Sequence, residues 1–259
     1  MPVRGSSAPA TAELAELVRS ANSVVALTGA GISTPSGIPD FRSGGTGLWE
    51  KVDPMEVAHI DAFHADPARF WQFYSARFAA LRSKRPNGAH HALAELERRG
   101  LLDAVITQNV DMLHRAAGTR ELVEVHGSIA TCSCLACSAE PVALADVRER
   151  LRGDPEGIPR CERCHAPLKP DVVLFGELLH EPTLARARSL CAGADLLLCI
   201  GSSLEVHPVA GLPLLTLERG GVLAILTQGS TPLDALAAAR LHGDVVDELD
   251  ALVDELDGV

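Results

Sequence analysis

Short apolar runs, each ending in glycine or polar residues, place the strongest constraint on this fold. Val24–Leu27 stops at Thr28-Gly29-Ala30-Gly31, and further runs of the same kind are Ala104–Ile106, Val172–Phe175, Leu196–Ile200 and Val222–Leu226. Such runs are too short for buried helices and match strands covered on both faces, as in a parallel sheet. Helical spacing fills the gaps: Leu14, Leu17 and Val18 recur in Thr11–Ala21 behind Thr11 as a candidate cap, Ala89–Arg99 stops at Gly100, and Thr183–Leu190 is a third. Strands alternating with helices predict an α/β fold with a doubly wound parallel sheet. Ligands of such sheets sit at the carboxyl ends of strands, so the segments at Gly29, Gln108 and Gly201 are expected to converge on one site.

Two stretches break the alternation. Asp40–Asn87 holds most of the aromatic residues, including Phe63, Phe70, Trp71, Phe73, Tyr74 and Phe78, and reads as a helical insertion. Thr131–Leu168 holds the cysteine pairs and reads as a second insertion. The periodic Val and Leu of Val245–Leu256 predict a helix packed on the sheet. A net charge of −11 disfavours a non-specific grip on nucleic acid or an anionic membrane. No apolar run approaches the roughly 20 residues of a spanning helix. Met1–Ala10 lacks the apolar centre of a signal peptide, so a cytoplasmic protein is expected.

Seven cysteines are an odd number, and four form two C-x-x-C pairs, Cys134/Cys137 and Cys161/Cys164, with 23 residues between them. Four soft thiolates in two knuckles are the ligand set of a closed tetrahedral structural Zn²⁺ site, favoured in a reducing compartment over a disulfide framework. The competing reading is four unligated core thiols. Cys132 competes with Cys134 for one ligand place, and Cys191 and Cys199 on apolar segments read as core.

Gly29-Ala30-Gly31 after a strand lets backbone N–H groups approach a pyrophosphate, although glycine also serves tight packing alone. The wider pattern is more specific: Gly29-Ala30-Gly31-Ile32-Ser33, Ser36-Gly37-Ile38-Pro39-Asp40-Phe41-Arg42, Thr107-Gln108-Asn109-Val110-Asp111, His126-Gly127-Ser128, Lys169-Pro170-Asp171-Val172-Val173-Leu174-Phe175-Gly176-Glu177, Gly201-Ser202-Ser203-Leu204 and Gly243-Asp244-Val245. In order and spacing this resembles the sirtuin (Sir2) family of NAD-dependent protein lysine deacylases, from Val24 to about Leu256. The resemblance implies a Rossmann-type NAD domain (1–39, 88–130 and 169–259) and a small domain made of the helical insertion (40–87) and the zinc-binding module (131–168). It implies NAD as co-substrate, acylated lysines on proteins as partners, nicotinamide release, and transfer of the acyl group to ADP-ribose.

His126 matches the family's catalytic histidine, and imidazole takes up protons near neutrality, although a histidine at a strand end is commonly structural. Asn109 is assigned to the catalytic set with it. Asn109 and Asp111 match residues that hold the nicotinamide ribose and carboxamide, while an Asn-x-Asp turn also serves as a helix cap. Gln108 and Val110 belong to the same cofactor segment. Asp40, Phe41 and Arg42 resemble a cofactor loop in which the arginine meets phosphate and the aromatic shields the reacting carbon. The resemblance assigns Gly29, Ala30, Gly31 and Ser33 to cofactor binding, and would place Gly201, Ser202, Ser203, Thr227 and Val245 on its adenosine side. Thr227 stands where the family often has Asn, and Ser202 where Thr is commoner.

For the acyl group, Tyr74-Ser75-Ala76-Arg77 and Ala58 match a subgroup that accepts succinyl and malonyl lysine. A phenol and a guanidinium bind a distal carboxylate by charge-assisted hydrogen bonds. The bland alternative is a packed tyrosine and a solvated arginine. Val173 and Phe175 are placed near the peptide-binding strand. Dual acetyl and succinyl activity is expected, with a protein ADP-ribosyltransferase and a non-catalytic NAD or ADP-ribose sensor as rivals. Oligomeric state is unassigned.

Overall fold

A computed structural model describes residues 8–40 and 53–258. In chain order the elements are α1 (Ala8–Ser20), β1 (Val24–Thr28), α2 (Pro54–Val57), α3 (Ile60–Ala65), α4 (Pro67–Arg82), α5 (Gly88–Arg98), β2 (Ala104–Thr107), α6 (Leu113–Ala117) and β3 (Leu122–Glu124). There follow β4 (Gly127–Cys134), β5 (Val142–Ala143), α7 (Leu144–Gly153), β6 (Leu168–Val172), α8 (Glu181–Gly193), β7 (Leu196–Ile200), α9 (Leu212–Glu218), β8 (Val222–Leu226), β9 (Ala237–Leu241) and α10 (Val245–Asp257).

Six strands form one parallel sheet in the order β3-β2-β1-β7-β8-β9. Every residue of β1, β2 and β7 is buried, which is why these strands read as unbroken apolar runs. Alternate side chains go to opposite faces. Val24, Ala26, Leu196, Leu198 and Ile200 meet α1, α5 and α10 on one side. Val25, Leu27, Leu197 and Cys199 meet α8 and α9 on the other. The strand order turns back between β1 and β7, which opens a crevice at their carboxyl ends.

A second sheet, β5-β4-β6, is antiparallel. It shares a third core with the helical insertion, where Phe63, Phe70, Trp71 and Phe78 pack with Ile129, Cys132, Leu168 and Val172. Trp71 is fully buried and its indole N–H donates to the Leu168 carbonyl at 2.9 Å. Trp71→Ala is therefore expected to lower the thermal midpoint strongly, by about 3–5 kcal/mol of stability, since it leaves both a cavity and an orphan carbonyl.

Two sequence expectations are corrected, and two strands appear that the apolar runs did not mark. Val172–Phe175 is not a strand of the parallel sheet: the strand is Leu168–Val172 and pairs antiparallel with β4, because the four-cysteine module turns the chain back on itself. Thr11 lies inside α1 and is buried rather than capping it. β3 and β9 complete the sheet although Leu122–Glu124 is short and Ala237–Leu241 is rich in alanine, a helix former, so that register with β2 and β8 decides their state. Among the described residues no helix is long and apolar enough to cross a membrane.

Candidate active site

The crevice at the switch point is lined by backbone. The Gly31 N–H donates to the Gly201 carbonyl at 2.8 Å, and an ideal Cβ on Gly31 would lie 2.8 Å from the Gly201 Cα. Gly201 itself has φ +60°, and a Cβ there would lie 2.3 Å from the Ile32 nitrogen. Side chains are excluded from both turns, which lets the two backbone segments pack directly against each other at the crevice. Gln108 joins them: its amide donates to the Ser202 hydroxyl at 2.9 Å, and Asn109 Nδ2 donates to the Gly29 carbonyl at 3.1 Å. The Gly29, Gln108 and Gly201 segments thus converge as expected.

Beneath these turns lies a buried polar network. Ser33 donates to Asp111 Oδ2 at 2.7 Å and accepts from Asn109 Nδ2 at 3.1 Å. Asp111 Oδ1 also accepts the Leu113 N–H at 2.9 Å, the local contact of the cap reading, where the chain enters α6. Burial pushes the Asp111 carboxyl up, opposed by these donors. His90 Nε2 lies 3.5 Å from the Ser33 hydroxyl, and His114 Nε2 lies 3.0 Å from the Thr28 hydroxyl. The two rings are 4.9 Å apart, and burial moves their pKa values down to about 4 and about 3. Neither histidine was singled out from the sequence. The signal was Asn87 ahead of the α5 run, since the Asn87 side chain and His90 form the capping box that fixes the ring.

These two rings predict a pH dependence. Above pH 6.5 neither the folded nor the unfolded chain protonates them, and they contribute nothing to it. Between pH 6.5 and about 4 the unfolded chain takes protons that the folded chain refuses, so stability falls with acid by roughly 1 kcal/mol per pH unit for each ring. Urea midpoints of wild type and His90→Gln from pH 7 to 5 check this: the variant should show the shallower slope, and equal slopes would remove His90 from the account.

His126 sits where the chain passes from β3 of the large sheet to β4 of the small one. Its Nδ1 lies 3.0 Å from the Gln108 carbonyl oxygen. A carbonyl only accepts, so Nδ1 carries the proton and Nε2 keeps a lone pair. Burial lowers the His126 pKa against the opposing pull of that carbonyl, which keeps the ring neutral at neutral pH. The next residue, Gly127, has φ +74°, and a Cβ there would meet the Asp171 carbonyl oxygen. Glycine is thus required for β4 to close on β6 directly behind the imidazole. The His126 carbonyl in turn accepts the Val173 N–H at 2.8 Å.

Val173–Phe175 runs from there to the helical insertion, where the Phe175 N–H donates to the Ala58 carbonyl at 2.8 Å. Ala58 is buried, whereas Phe175 is 39% exposed. Tyr74 and Arg77 lie on α4. The Tyr74 ring is stacked on Phe78 and tilted against Phe70, and burial moves its phenol up to about 12 while the nearby Arg77 charge draws it down. Arg77 lies over the Phe73 ring and donates to the Phe73 carbonyl at 2.7 Å. Among the described residues no carboxylate forms a salt bridge with Arg77.

Ala30 opens the 3-10 turn Ala30–Ser36. Val110 is half-buried against the small core, and its carbonyl accepts the Ile129 N–H at 3.2 Å. Ser203 follows Ser202 in the Gly201 turn. Thr227 directly follows β8, with its N–H on the Leu241 carbonyl and its own carbonyl held by Arg240. Val245 is buried at the start of α10, which packs against the 3-10 turn. Asp40 is the last described residue before position 53, and Phe41 and Arg42 lie outside the described residues.

The thiols of Cys134, Cys137, Cys161 and Cys164 lie within 4.8 Å of one another, with 3.4 Å between Cys134 and Cys164 and 3.7 Å from Cys137 to both Cys134 and Cys161. Four sulfurs about 2.3 Å from a central ion would stand about 3.8 Å apart, so the set fits one tetrahedral Zn²⁺ with no position left for substrate. Cys132 is outside this set. It is buried in the small core, and the four thiols that approach one another include Cys134 and not Cys132.

A Rossmann-type crevice, an oriented neutral histidine beside it and a closed four-thiolate module describe a zinc-containing, nucleotide-dependent enzyme architecture. The Sir2 family profile matches residues 29–208, and the chain belongs to the Sir2 family. An NAD-dependent protein deacetylase of Caldivirga maquilingensis is 45% identical over 246 residues, covering 95% of this chain and 93% of that protein. An NAD-dependent protein deacylase of Pyrococcus furiosus is 41% identical, covering 94% and 97%. Among solved structures, Sir2 with a p53 peptide and NAD+ superposes with TM-score 0.86 at 38% identity, covering 94% of this chain and 97% of that one. Sir2Tm bound to a propionylated peptide gives 0.85 at 38% identity with the same coverage.

Proposed function

We propose that this chain is an NAD-dependent protein lysine deacylase acting on acylated lysines of proteins, with the active site between the Gly29, Gln108 and Gly201 turns and the Val173–Phe175 segment. The observation that carries the reading is the His126 imidazole, held as the Nδ1–H tautomer by Gln108 and tied through its own carbonyl to Val173. When bound, NAD supplies a ribose carbon that the acyl oxygen attacks as nicotinamide leaves, and ADP-ribose carries the acyl group away. The residues then have separate tasks. Gly29, Ala30, Gly31, Gly201, Ser202 and Ser203 receive the phosphates and adenosine, with Thr227 and Val245 further along the adenosine side. Ser33, Asn109 and Asp111 hold ribose and carboxamide in place, with Gln108 and Val110 shaping that segment. His126 Nε2 accepts a proton from a ribose hydroxyl, and Asp40 leads into the segment of Phe41 and Arg42, which lies outside the described residues and is assigned to the cofactor from its motif alone.

The division into a Rossmann-type domain (1–39, 88–130, 169–259) and a small domain (40–87 with 131–168) rests on the separate aromatic core, although β4 and β6 straddle the boundaries at 130 and 169. A reducing, cytoplasmic setting agrees with seven unpaired thiols. Mass spectrometry of an acetyl-lysine peptide with NAD tests the activity: deacylated peptide, nicotinamide and acyl-ADP-ribose should appear in equal amounts. ADP-ribose left on protein would instead support the transferase reading.

A second reading, desuccinylation and demalonylation beside deacetylation, is favoured by the adjacency of Tyr74 to Arg77, which has no carboxylate partner among the described residues. Arg77→Met should lower turnover of a succinyl-lysine peptide by about tenfold or more, the worth of a charge-assisted hydrogen bond, and leave acetyl-lysine turnover nearly unchanged. Intact desuccinylation in this variant sinks the assignment.

A further inference from the structure

A buried cation lies behind the Val173–Phe175 segment and has no part in the chemistry so far described. Lys169 is 6% exposed, and its Nζ donates to the carbonyls of Pro170 at 3.0 Å and Val172 at 2.7 Å and lies 2.9 Å from Glu177 Oε2. The same Glu177 oxygen accepts the Leu174 N–H at 2.9 Å, and the Glu177 N–H closes the turn on the Leu174 carbonyl at 3.1 Å. A buried ammonium is costly unless its three protons find acceptors, and here all three do. The pair therefore fixes the backbone at 172 and 174.

Positions 173 and 175 are fixed from elsewhere. The Val173 N–H is held by the His126 carbonyl, the Phe175 N–H by the Ala58 carbonyl, and the Phe175 carbonyl by the Ile60 N–H at 2.9 Å. Residues 172 and 174 thus answer to the ion pair, and residues 173 and 175 to the imidazole strand and the helical insertion. Without the charge on one partner, the contacts to the Val172 carbonyl and the Leu174 N–H are lost or stripped of their charge assistance, and the segment is held less firmly in register with His126.

We propose that Lys169 and Glu177 are a positioning pair that sets the register of Val173–Phe175 for the acyl-lysine peptide. The inference rests on the deacylase reading and adds which residues shape its peptide edge. Steady-state kinetics with acetyl-lysine peptide and NAD varied separately, alongside thermal melts, test it in wild type, Lys169→Met, Glu177→Gln and the double variant. Each single variant should raise the peptide KM by about tenfold, leave the NAD KM within about twofold and change kcat less than the peptide KM. The double variant should add little to either single one, because one interaction is removed in each case. Glu177→Gln keeps an oxygen for the Leu174 N–H and carries the test alone if Lys169→Met does not fold. An unmoved peptide KM in folded Glu177→Gln, or an equal rise in both KM values, overturns the proposal. A wild type that turns over no acetyl-lysine peptide defeats the deacylase reading and this inference with it, whereas an active wild type with unmoved variants defeats the inference alone.

Discussion

Replacing His126 with alanine is expected to cut turnover of an acetyl-lysine peptide by about 10²–10⁴, the range of a positioned general base. The NAD affinity should fall far less, since the turns at Gly29 and Gly201 are built without the imidazole. The ring is also a modest packing element, so the melt should move little. His126→Asn sharpens the test, because an amide can still donate to the Gln108 carbonyl but cannot take up a proton near neutrality. If the Asn variant keeps more than about a tenth of wild-type turnover, the base role belongs to another group. In the wild type, acid should remove activity only below the ordinary histidine range, because burial holds the His126 pKa down.

Loss of the metal is expected to be as severe by a different route. Cys161→Ser, or exhaustive chelation, should abolish zinc binding and peptide turnover together. Structural zinc contributes on the order of 10 kcal/mol in small modules, more than the surrounding secondary structure can replace. The damage should be confined by the architecture. β4, β5, α7 and β6 depend on the four thiolates, whereas the parallel sheet has its own two cores. Circular dichroism should therefore keep most of its helical signal while zinc content falls to zero. Cys132→Ser is the control: its thiol is packed away from the cluster, and zinc content should stay at one per chain.

The parts of the fold most legible in sequence are those whose residues answer to one local demand. Strands buried on both faces must be apolar throughout, so β1, β2, β7 and β8 announce themselves. Ligand spacing announces the cysteine cluster because a tetrahedral ion tolerates few geometries. By contrast, β9 is held by register with β8, and Val172–Phe175 looks like a sheet strand because apolar composition does not record which sheet a strand joins. His90 and His114 escaped notice for a related reason. They act through contacts with Ser33 and Thr28, separated by dozens of positions along the chain, and nothing in their neighbours reports that distance. Lys169 and Glu177 were visible within a motif, but their pairing depends on a turn that only coordinates reveal.

The placement of His126 has a mechanical consequence. Its covalent continuation belongs to the small sheet, while the carbonyl that sets its tautomer belongs to the large one. A hydrogen bond of 3.0 Å survives a displacement of only a few tenths of an ångström before it weakens. The hydrogen bond that fixes the imidazole tautomer is thereby also a link between the two sheets, so the tautomer depends on their alignment.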